Sequence, residues 1–360
     1  MAITEVRIRP ADVAVIGGGP AGAVTALLLA RAGVDVLLYE RSQYATLRLG
    51  ETLPPSVNPL LRQLGLWDRF AELGSVPSYQ TASAWGDDEP ADRSFVFSAH
   101  GCGWHVDRAR FDGMLAQAAE EAGARVIRGQ RVRDVIHEGT GFTVQTTEEV
   151  RVNRLVDATG RVARFAKTLG GRRHQLDRLV CAARVFSNEH APGDTFIEAD
   201  ADGWWYASPL PEGRRLIAMF TDARQAVRDR LSTPEGWNGA LCATRHVRKL
   251  ADGGALTPIH MVSCASHELC PVLGDGWIAV GDAALAVDPL SSGGVAFALR
   301  TAIAASEVLS GADRAAYAEL VSNAAWEYRQ VRAQIYGWEN RFPDHEFWRS
   351  RAELSSPARA

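Results

Sequence analysis

The stretch DVAVIGGGPAGAVTALLLARAGVDVLLYER, residues 12–41, decides the fold of this chain. An apolar run leads into a glycine cluster, and an alanine- and leucine-rich segment then leads through another glycine to a second apolar run. This order predicts a strand, a tight turn, a helix and a second strand within about thirty residues. Such a unit is typical of a parallel sheet that binds a dinucleotide where its first strand meets the helix.

Three glycines and one acid in this stretch have separate physical tasks. Gly17 permits the tight turn, Gly19 lets the backbone approach a pyrophosphate, and Gly22 lets the helix pack closely on the sheet. The amide groups at the start of the helix then face the phosphates. Glu40 ends the second strand, where a carboxylate can accept a hydrogen bond from a ribose hydroxyl. The pattern predicts a dinucleotide site but leaves the dinucleotide open, and a glycine-rich loop without a ligand is the alternative.

Length and charge exclude several classes of protein. The chain has 360 residues and a formal net charge of -4, so it has room for two or three structural units and is not a general nucleic-acid binder. Its first residues lack the pattern of a secretory signal, and no run approaches the ~18 apolar residues of a membrane span. The five cysteines have no CxxC pair and no histidine at ligand spacing. We expect a cytoplasmic protein without a metal site and without a membrane partner.

The rest of the chain alternates between helical and extended patterns. Apolar runs within residues 126–156 predict a strand meander that ends in the sequence DATG, residues 157–160. Four strand-like runs between residues 179 and 220 predict a second, mainly antiparallel sheet. Helical patterns follow at residues 223–245, and again from residue 315 onward. No repeat or low-complexity linker separates these parts, so we expect one interleaved body.

A third glycine signal lies far from the first two. The segment GDAALAVDPLSSGGV, residues 281–295, places an acid after a short strand and two glycines at the start of a long helix. This arrangement suits a flavin, because Asp282 can bind ribityl hydroxyls and the helix N-terminus can face the ring. Gly293 and Gly294 would allow a close approach of the helix to that ring. A nicotinamide dehydrogenase usually needs only the first signal.

Five segments together carry a family resemblance: GGGPAG with YER, GETLPP, DRARFD, DATG and GDAALAVDP. They resemble the FAD-dependent monooxygenases of the aromatic hydroxylase type, a class that also contains flavin-dependent halogenases and geranylgeranyl-type reductases. The resemblance covers most of the chain and implies FAD as cofactor. The cofactor-binding residues that the motifs and the resemblance indicate are Gly17, Gly19, Ala21, Gly22, Glu40, Arg41, Arg108, Val132, Asp157, Gly160, Asp282, Pro289, Gly293 and Gly294.

The same resemblance implies an α/β fold. We expect a Rossmann-like FAD-binding domain with an inserted, mainly antiparallel β-sheet substrate domain and C-terminal helices. The expected FAD-binding domain is discontinuous, and the substrate domain is inserted between its parts. The boundaries that we predict are 11–78 with 101–175 and 268–312 for the FAD-binding domain, 79–100 with 176–267 for the substrate-binding domain, and 313–360 for the C-terminal helical segment.

The substrate class depends on the sequence GWWYASPLPEGR, residues 203–214. It is similar, in altered form, to the WxWxIP motif of the halogenases and the YxWxFP motif of the reductases. Trp204, Tyr206 and Ser208 point to one face of a strand because side chains alternate. They are our candidates for substrate binding in a flat pocket over the flavin. The alternative is an aromatic sheet core that packs on a neighbouring element.

One missing residue type argues against halogenation. The resemblance to halogenases implies a lysine that carries the halogen to the substrate, but residues 50–112 contain none. A hydroxylase needs no such lysine, because a flavin hydroperoxide can transfer oxygen directly to an electron-rich ring. We therefore predict an FAD-dependent monooxygenase that hydroxylates an aromatic substrate. A halogenase, a geranylgeranyl-type reductase and a non-catalytic FAD-containing maturation partner are the alternatives.

Aromatic-rich segments indicate the type of substrate. SAWGDDEP, GWHVDRARFD and the C-terminal YGWENRFPDHEFWRSR are similar to flavoproteins that mature quinone-containing amine oxidases and dehydrogenases by oxygenating a tryptophan. This resemblance implies a tryptophan or indole substrate carried on a peptide or protein, and a small free indole or phenol is the alternative. Glu51 and His105 are the candidate catalytic groups, as an acid in the loop that contains Gly50 and Glu51 (the GE loop) and a base near Arg108. The electrons would come from NAD(P)H or from a separate reduced-flavin supply such as a flavin reductase.

Overall fold

A computed structural model describes residues 9–95, 97–188 and 194–353 of the chain. The end of the expected C-terminal segment, residues 354–360, lies outside the described residues. In chain order, the helices are α1 (Pro20–Arg31), α2 (Val57–Gln63), α3 (Trp67–Ala71), α4 (Arg108–Glu121), α5 (Arg164–Thr168), α6 (Ala223–Arg228), α7 (Pro234–Ala243), α8 (Gly294–Leu309), α9 (Arg314–Trp338) and α10 (Glu346–Glu353). Short 3₁₀ turns span Gly160–Val162, Val247–Leu250, Gly281–Ala283 and Pro289–Ser291.

The strands belong to four sheets. In chain order, they are β1 (Ala11–Ile16), β2 (Val36–Glu40), β3 (Thr52–Leu53), β4 (Val76–Ser78), β5 (Gln80–Ala84), β6 (Ala91–Ser94), β7 (Gly103–His105), β8 (Arg125–Arg128), β9 (Asp134–Glu138), β10 (Gly141–Gln145), β11 (Glu149–Asp157), β12 (Arg172–Gln175), β13 (Leu179–Ser187), β14 (Thr195–Asp200), β15 (Gly203–Leu210), β16 (Arg214–Asp222), β17 (His260–Ser263), β18 (His267–Cys270), β19 (Leu273–Gly274), β20 (Trp277–Ala279) and β21 (Leu285–Ala286).

The first sheet is built around the predicted strand–helix–strand unit. Its strand order is β19-β20-β11-β1-β2-β8, and β10 and β9 extend it from the first half of β11. The pairs β1–β2, β1–β11, β2–β8 and β11–β20 are parallel. Every residue of β2 is buried, as expected for a strand covered on both faces. Because parallel strands end at one edge, the residues that follow β1, β2, β11 and β20 meet there.

The second sheet has the strand order β17-β13-β16-β15-β14-β5-β6. Its pairs are antiparallel except for β14 with β5, which confirms the expected, mainly antiparallel substrate sheet. On one face, Trp205 of β15 packs with Trp237 of α7. On the other face, Trp204 belongs to a core that includes side chains of the C-terminal helices. The alternation along β15 therefore separates two apolar layers.

Two small sheets were not predicted. One has the order β3-β7-β4, and the other has the order β12-β18-β21. Their strands contain between two and four residues, which is too short for a periodic pattern to be visible in the sequence. The first of these sheets pairs Thr52 with His105 and brings the GE loop beside the residues that precede α4.

Helix α9 connects the two large units. Tyr317, Val321 and Tyr328 in its first part lie in the core of the FAD-binding unit, whereas Tyr336 near its end lies in the core of the substrate sheet. The structure confirms the α/β class with Rossmann-like and antiparallel parts. The domain boundaries remain a prediction, because α9 contributes to both cores. Within the described ranges, no helix has both the length and the apolar character needed to cross a bilayer.

Candidate active site

In the turn after β1, two glycines have no space for a side chain, and a third has free space beside it. A Cβ atom on Gly17 would lie 2.1 Å from the carbonyl oxygen of Ala158, and the residue has a φ of +111°. A Cβ atom on Gly22 would lie 1.9 Å from the carbonyl oxygen of Gly17. By contrast, a Cβ atom on Gly19 would meet no atom within 4 Å. This turn leaves room for a ligand beside Gly19 at the start of α1, where Ala21 is buried.

Glu40 fixes the shape of that turn. Its Oε2 atom accepts a hydrogen bond from the Gly18 amide at 2.8 Å, and its Oε1 atom accepts one from the Ser42 amide at 2.9 Å. The hydroxyl of Tyr44 donates to the Gly18 carbonyl at 2.8 Å. The carboxylate stands at the end of β2, as the ribose-binding role requires, and Arg41 beside it is exposed. Both residues remain predicted cofactor contacts.

Two arginines converge on one buried carboxylate. Arg108 donates through Nε to Asp112 at 3.1 Å and through Nη1 to the carbonyls of Leu49 and Gly50, both at 3.0 Å. Arg48, which our sequence reasoning missed, donates to Asp112 at 2.7 Å and to Glu40 at 2.9 Å. These bonds connect α4, β2 and the GE loop. No sequence motif marks Arg48, because its partners lie far apart along the chain.

The Asp157 side chain supports a turn. It accepts hydrogen bonds from the Thr159 amide and hydroxyl, and from the amides of Phe165 and Ala166, at 2.6–3.0 Å. This carboxylate holds the backbone at the start of α5 in place. The cofactor contact of Asp157 stays a prediction. Gly160 has a φ of +68°, which its residue type permits.

The remaining predicted cofactor residues lie in two places. Asp282 forms an ion pair with Nε of Arg161 at 3.3 Å, and its Oδ1 atom is 3.9 Å from the position of a Cβ on Gly294. Pro289 and Gly293 belong to the adjacent turn, so these four predictions are close together at the start of α8. Val132 is separate from them and lies buried in the core of the FAD-binding unit. Arg161 is a further residue that the sequence did not reveal.

A buried polar cluster joins the GE loop to the substrate sheet. Nδ1 of His105 lies 3.0 Å from the hydroxyl oxygens of both Thr52 and Ser208. The Thr52 hydroxyl is 2.5 Å from that of Tyr206, and a side-chain hydrogen bond joins Tyr206 to Glu51. Both predicted catalytic residues and two of the three predicted substrate residues therefore meet. We call these five residues the polar cluster; Thr52 is the member that the sequence did not indicate.

Burial controls protonation in the polar cluster. Glu51 is 3% exposed, and this burial raises the pKa of its carboxyl group, although Tyr206 and the Gly50 amide oppose the shift by hydrogen bonding. Burial and the nearby charge of Glu51 raise the pKa of Tyr206 well above its ordinary value. The Tyr206 hydroxyl is therefore a hydrogen-bond donor near neutral pH, and Glu51 is a carboxyl group poised to exchange a proton.

Trp204 has a different environment from Tyr206 and Ser208. It is 1% exposed, stacks on Phe220 with ring centroids 3.9 Å apart, and donates through Nε1 to the Tyr336 hydroxyl at 3.2 Å. This packing does not support the expected role of Trp204 in the wall of a substrate pocket. Its ring fills the core between the substrate sheet and the C-terminal helices, as the alternative interpretation of this strand holds.

The geometry of these residues defines a class of protein. Three features fit an FAD: the glycine turn with free space at Gly19, the acid at the end of β2, and the second glycine-led helix beside Asp282. The polar cluster lies between the GE loop and the substrate sheet. These features are those of an FAD-dependent oxidoreductase. The family described as the FAD binding domain matches residues 10–335, and the chain belongs to this family.

Relatives within and around this family have several activities. The chain is 32% identical over 363 residues to a protein of Marinomonas mediterranea named as an FAD-dependent oxidoreductase, LodB, covering 96% of this chain and 98% of that protein. Among solved structures, the flavin-dependent halogenase CmlS has a TM-score of 0.84 and 26% identity, covering 96% of this chain and 68% of that one. The peptidyl tryptophan dihydroxylase QhpG has a TM-score of 0.77 and 26% identity, covering 95% and 78%.

Proposed function

We propose that this flavoprotein is a monooxygenase that hydroxylates an aromatic ring, and that its substrate is a tryptophan carried on a peptide or protein. The observation that carries the proposal is the polar cluster, in which Glu51, Tyr206 and His105 surround Thr52 and Ser208 at hydrogen-bonding distance. These groups can accept or donate a proton beside a bound ring. None of them is a lysine.

The chemistry requires a proton acceptor. Bound and reduced FAD supplies the activation of dioxygen. Hydroxylation then replaces one ring hydrogen by a hydroxyl group, and the second oxygen atom leaves as water with two electrons from a reductant. The ring hydrogen departs as a proton, which the carboxylate form of Glu51 can accept directly or through Tyr206. His105 can hold the orientation of the Thr52 and Ser208 hydroxyls.

The substrate class rests on the relatives. QhpG is described as a peptidyl tryptophan dihydroxylase that is essential for tryptophylquinone cofactor biogenesis. Its similarity to this chain supports an indole substrate on a polypeptide, in agreement with the resemblance of the aromatic-rich segments. A small free indole or phenol is the alternative. NAD(P)H or a separate flavin reductase is the proposed source of electrons.

Halogenation is a second candidate function, because CmlS shares the fold over nearly the whole chain. The resemblance to halogenases implies a lysine near the substrate. The only lysines in the sequence are Lys167 and Lys249. Lys167 lies in α5 and Lys249 in the 3₁₀ turn after α7, and neither belongs to the polar cluster. The lack of a lysine in the polar cluster is our reason for preferring hydroxylation.

One experiment separates these activities. The protein, loaded with FAD, is incubated with tryptophan peptides or free indoles, isotopically labelled dioxygen, and chloride and bromide, with NADPH or a flavin reductase as reductant. Mass spectrometry should show one labelled oxygen atom in the aromatic product. A halogenated product without added oxygen would identify a halogenase. Saturation of an isoprenoid substrate, or copurification with a partner without any turnover, would favour the reductase or the non-catalytic alternative.

A further inference from the structure

A cavity of about 500 Å³ lies where the segment before β13 meets α6, α9 and α10. Its lining has an unusual composition. Five arginines contribute to it, whereas the carboxylates in the lining are those of Asp177, Asp222 and Glu346. The whole chain has a net charge of -4, so this surface is opposite in sign to the rest of the molecule. We call it the arginine cavity, and its arginines are Arg178, Arg224, Arg228, Arg332 and Arg351.

Two of these arginines form the buried part of the cavity. Arg351 makes two hydrogen bonds to the carboxylate of Asp222, at 2.9 and 3.2 Å. Arg332 lies 3.4 Å from Asp177 and is 8% exposed. Its Nε atom is buried, and within the described residues it has no hydrogen-bond partner. A buried donor of this kind favours an additional acceptor, because an unsatisfied buried donor has lost its hydrogen bonds to water without replacement.

The other three arginines are exposed. In the described part of the chain, Arg178, Arg224 and Arg228 have no carboxylate within 4 Å, in contrast to the arginines in the buried part. Asp177 and Asp222 are already engaged there. The exposed guanidinium groups therefore remain available to an anion from outside the molecule.

The shape and chemistry of the cavity fit carboxylates on a polypeptide. Guanidinium groups bind carboxylates through two parallel hydrogen bonds, as Arg351 and Asp222 do within the cavity itself. The arginines come from several elements and are spread along an open surface. Leu176 and Phe347 also line the cavity and add apolar surface. A combination of arginine and apolar side chains is typical of protein interfaces.

The position of the cavity relates it to the substrate sheet. Asp222 ends β16, and Ala218 of the same strand lies opposite Tyr206 of β15. Four residues of a strand span roughly 13 Å, at about 3.3 Å for each residue. An extended peptide needs about four residues to cover the same distance. Because the interior of β16 is buried, a bound peptide runs over the surface instead, and this span is the smallest separation between the tryptophan and the docked segment.

We propose that the arginine cavity docks an acidic segment of the polypeptide that carries the substrate tryptophan. This proposal rests on the proposed function for the nature of the partner, but it concerns a separate surface. Docking there supplies affinity and orientation, and it takes no part in the transfer of oxygen. It also requires acidic residues about four or more positions away from the modified tryptophan.

The test uses the FAD-loaded protein and two fluorescein-labelled peptides. Each peptide carries one tryptophan and, about four residues away, either a pair of glutamates or a pair of glutamines. Fluorescence anisotropy measures the Kd at low and at high salt. The key variant is the double substitution Arg224→Glu with Arg228→Glu, which reverses charge at exposed positions. The matched control is Arg93→Glu with Arg151→Glu, two exposed arginines that do not line the cavity.

The proposal predicts tighter binding of the glutamate peptide than of the glutamine peptide, with a difference that decreases at high salt. The key variant should weaken the glutamate peptide by about tenfold or more, and the control should leave its Kd unchanged. Circular dichroism and retained FAD verify that both variants are folded. Equal affinity for the two peptides would overturn the proposal. Tight binding of inorganic phosphate or NADPH without peptide discrimination would also overturn it, because the cavity would then be a small-anion site.

The binding measurement does not depend on turnover, so peptide docking and oxygen addition can be tested separately. Charge-dependent binding without oxygen addition to the peptide would support the docking surface and contradict the hydroxylase assignment. Oxygen addition that is equally efficient for both peptides and for both double variants would support the hydroxylase and contradict the docking surface. The two proposals therefore fail in distinguishable ways.

Discussion

The Tyr206 hydroxyl connects the substrate sheet to the GE loop and β3. The residue belongs to β15 of the substrate sheet, whereas its partners Glu51 and Thr52 belong to the GE loop and β3. The distance between the hydroxyl oxygens of Tyr206 and Thr52 is 2.5 Å. A change at this atom alters the proton-exchanging groups without touching the residues that we assign to FAD.

Replacement of Tyr206 by phenylalanine removes only this hydroxyl. We expect Tyr206→Phe to lower the kcat for hydroxylation by about ten- to a hundredfold, because the general acid–base path through Glu51 loses a member. The affinity for FAD, measured by quenching of flavin fluorescence, should not change. The free energy of unfolding should fall by about 1–3 kcal/mol, since buried partners lose a hydrogen bond.

A second buried tyrosine provides the control. The Tyr317 hydroxyl donates to the Ala279 carbonyl at 2.5 Å in the core of the FAD-binding unit, far along the chain from the polar cluster. Tyr317→Phe should therefore cost a similar amount of stability while hydroxylation persists. An equal loss of kcat in both variants would show that Tyr206 acts only through stability.

At the scale of elements, strand β18 carries a histidine in an unfavourable place for a charge. His267 is 1% exposed, and its Nε2 atom has no hydrogen-bond partner among the described residues. Burial lowers the pKa of His267 to about 4, and the positive charges of Arg173, Arg161 and Lys167 act in the same direction. A hydrogen bond with the Asp282 backbone opposes the shift only in part.

This shift makes stability depend on pH. Between about pH 6.5 and pH 4, His267 takes up a proton in the unfolded chain but not in the folded one. The unfolded state therefore binds more protons in this window, and the free energy of unfolding rises with pH. The full contribution is present above about pH 6.5 and amounts to roughly 3 kcal/mol. Urea unfolding across the window measures it.

Two variants isolate the contribution of His267. In His267→Gln, the rise in stability across this window should be smaller than in the unmodified protein. In His174→Gln, which changes an exposed histidine of the paired strand β12, the rise should be retained. Identical slopes for the His267→Gln protein and the unmodified protein would contradict the prediction.

The elements also show which parts of the fold can be predicted from the sequence. The unit β1–α1–β2, helix α4 and strands β13 to β16 are long enough to show periodic patterns, and the structure confirms them. The sheets β3-β7-β4 and β12-β18-β21 have strands of a few residues, whose pairing depends on long-range contacts. The same dependence on long-range contacts applies to the site. Motifs predicted Glu51, His105 and Tyr206 as site residues, but not Arg48 or Thr52. These two residues acquire partners only when distant segments meet.

The faces of a strand give a similar lesson. Alternation correctly placed Trp204, Tyr206 and Ser208 on one face of β15. It did not show which part of that face the C-terminal helices cover. Because Tyr336 of α9 and the Phe347 and Trp348 rings from α10 pack beside Trp204, only the later part of the strand reaches the polar cluster. The sequence contains no local signal for this coverage.

At the scale of the whole molecule, α9 couples the two large units. Its first part is buried in one core and Tyr336 near its end in the other. The Tyr336 hydroxyl donates to Asp288 at 2.7 Å and accepts from Trp204 at 3.2 Å. Asp288 follows β21 and precedes α8. The side chain of Tyr336 therefore contacts both the substrate sheet and the turn beside the proposed flavin position.

This coupling predicts a single unfolding transition. Calorimetry of the FAD-free protein should show one peak, since neither unit keeps its core when α9 leaves. Tyr336→Phe should shift the whole peak to lower temperature, by an amount that corresponds to about 1–3 kcal/mol. Trp338→Ala, which changes a side chain that is 56% exposed on the same helix, should leave the peak nearly unchanged. Two separate peaks in the unmodified protein would show that the units unfold independently.

The position of β11 at the middle of the parallel sheet has a consequence for biosynthesis. One neighbour, β1, precedes the entire substrate sheet in sequence, whereas the other, β20, follows it. A nascent chain therefore holds half of a nucleotide cradle while the inserted sheet is still being made. The second half, with Asp282 and α8, is synthesised only after that sheet. Both halves of the cradle therefore coexist only after the substrate sheet has been synthesised.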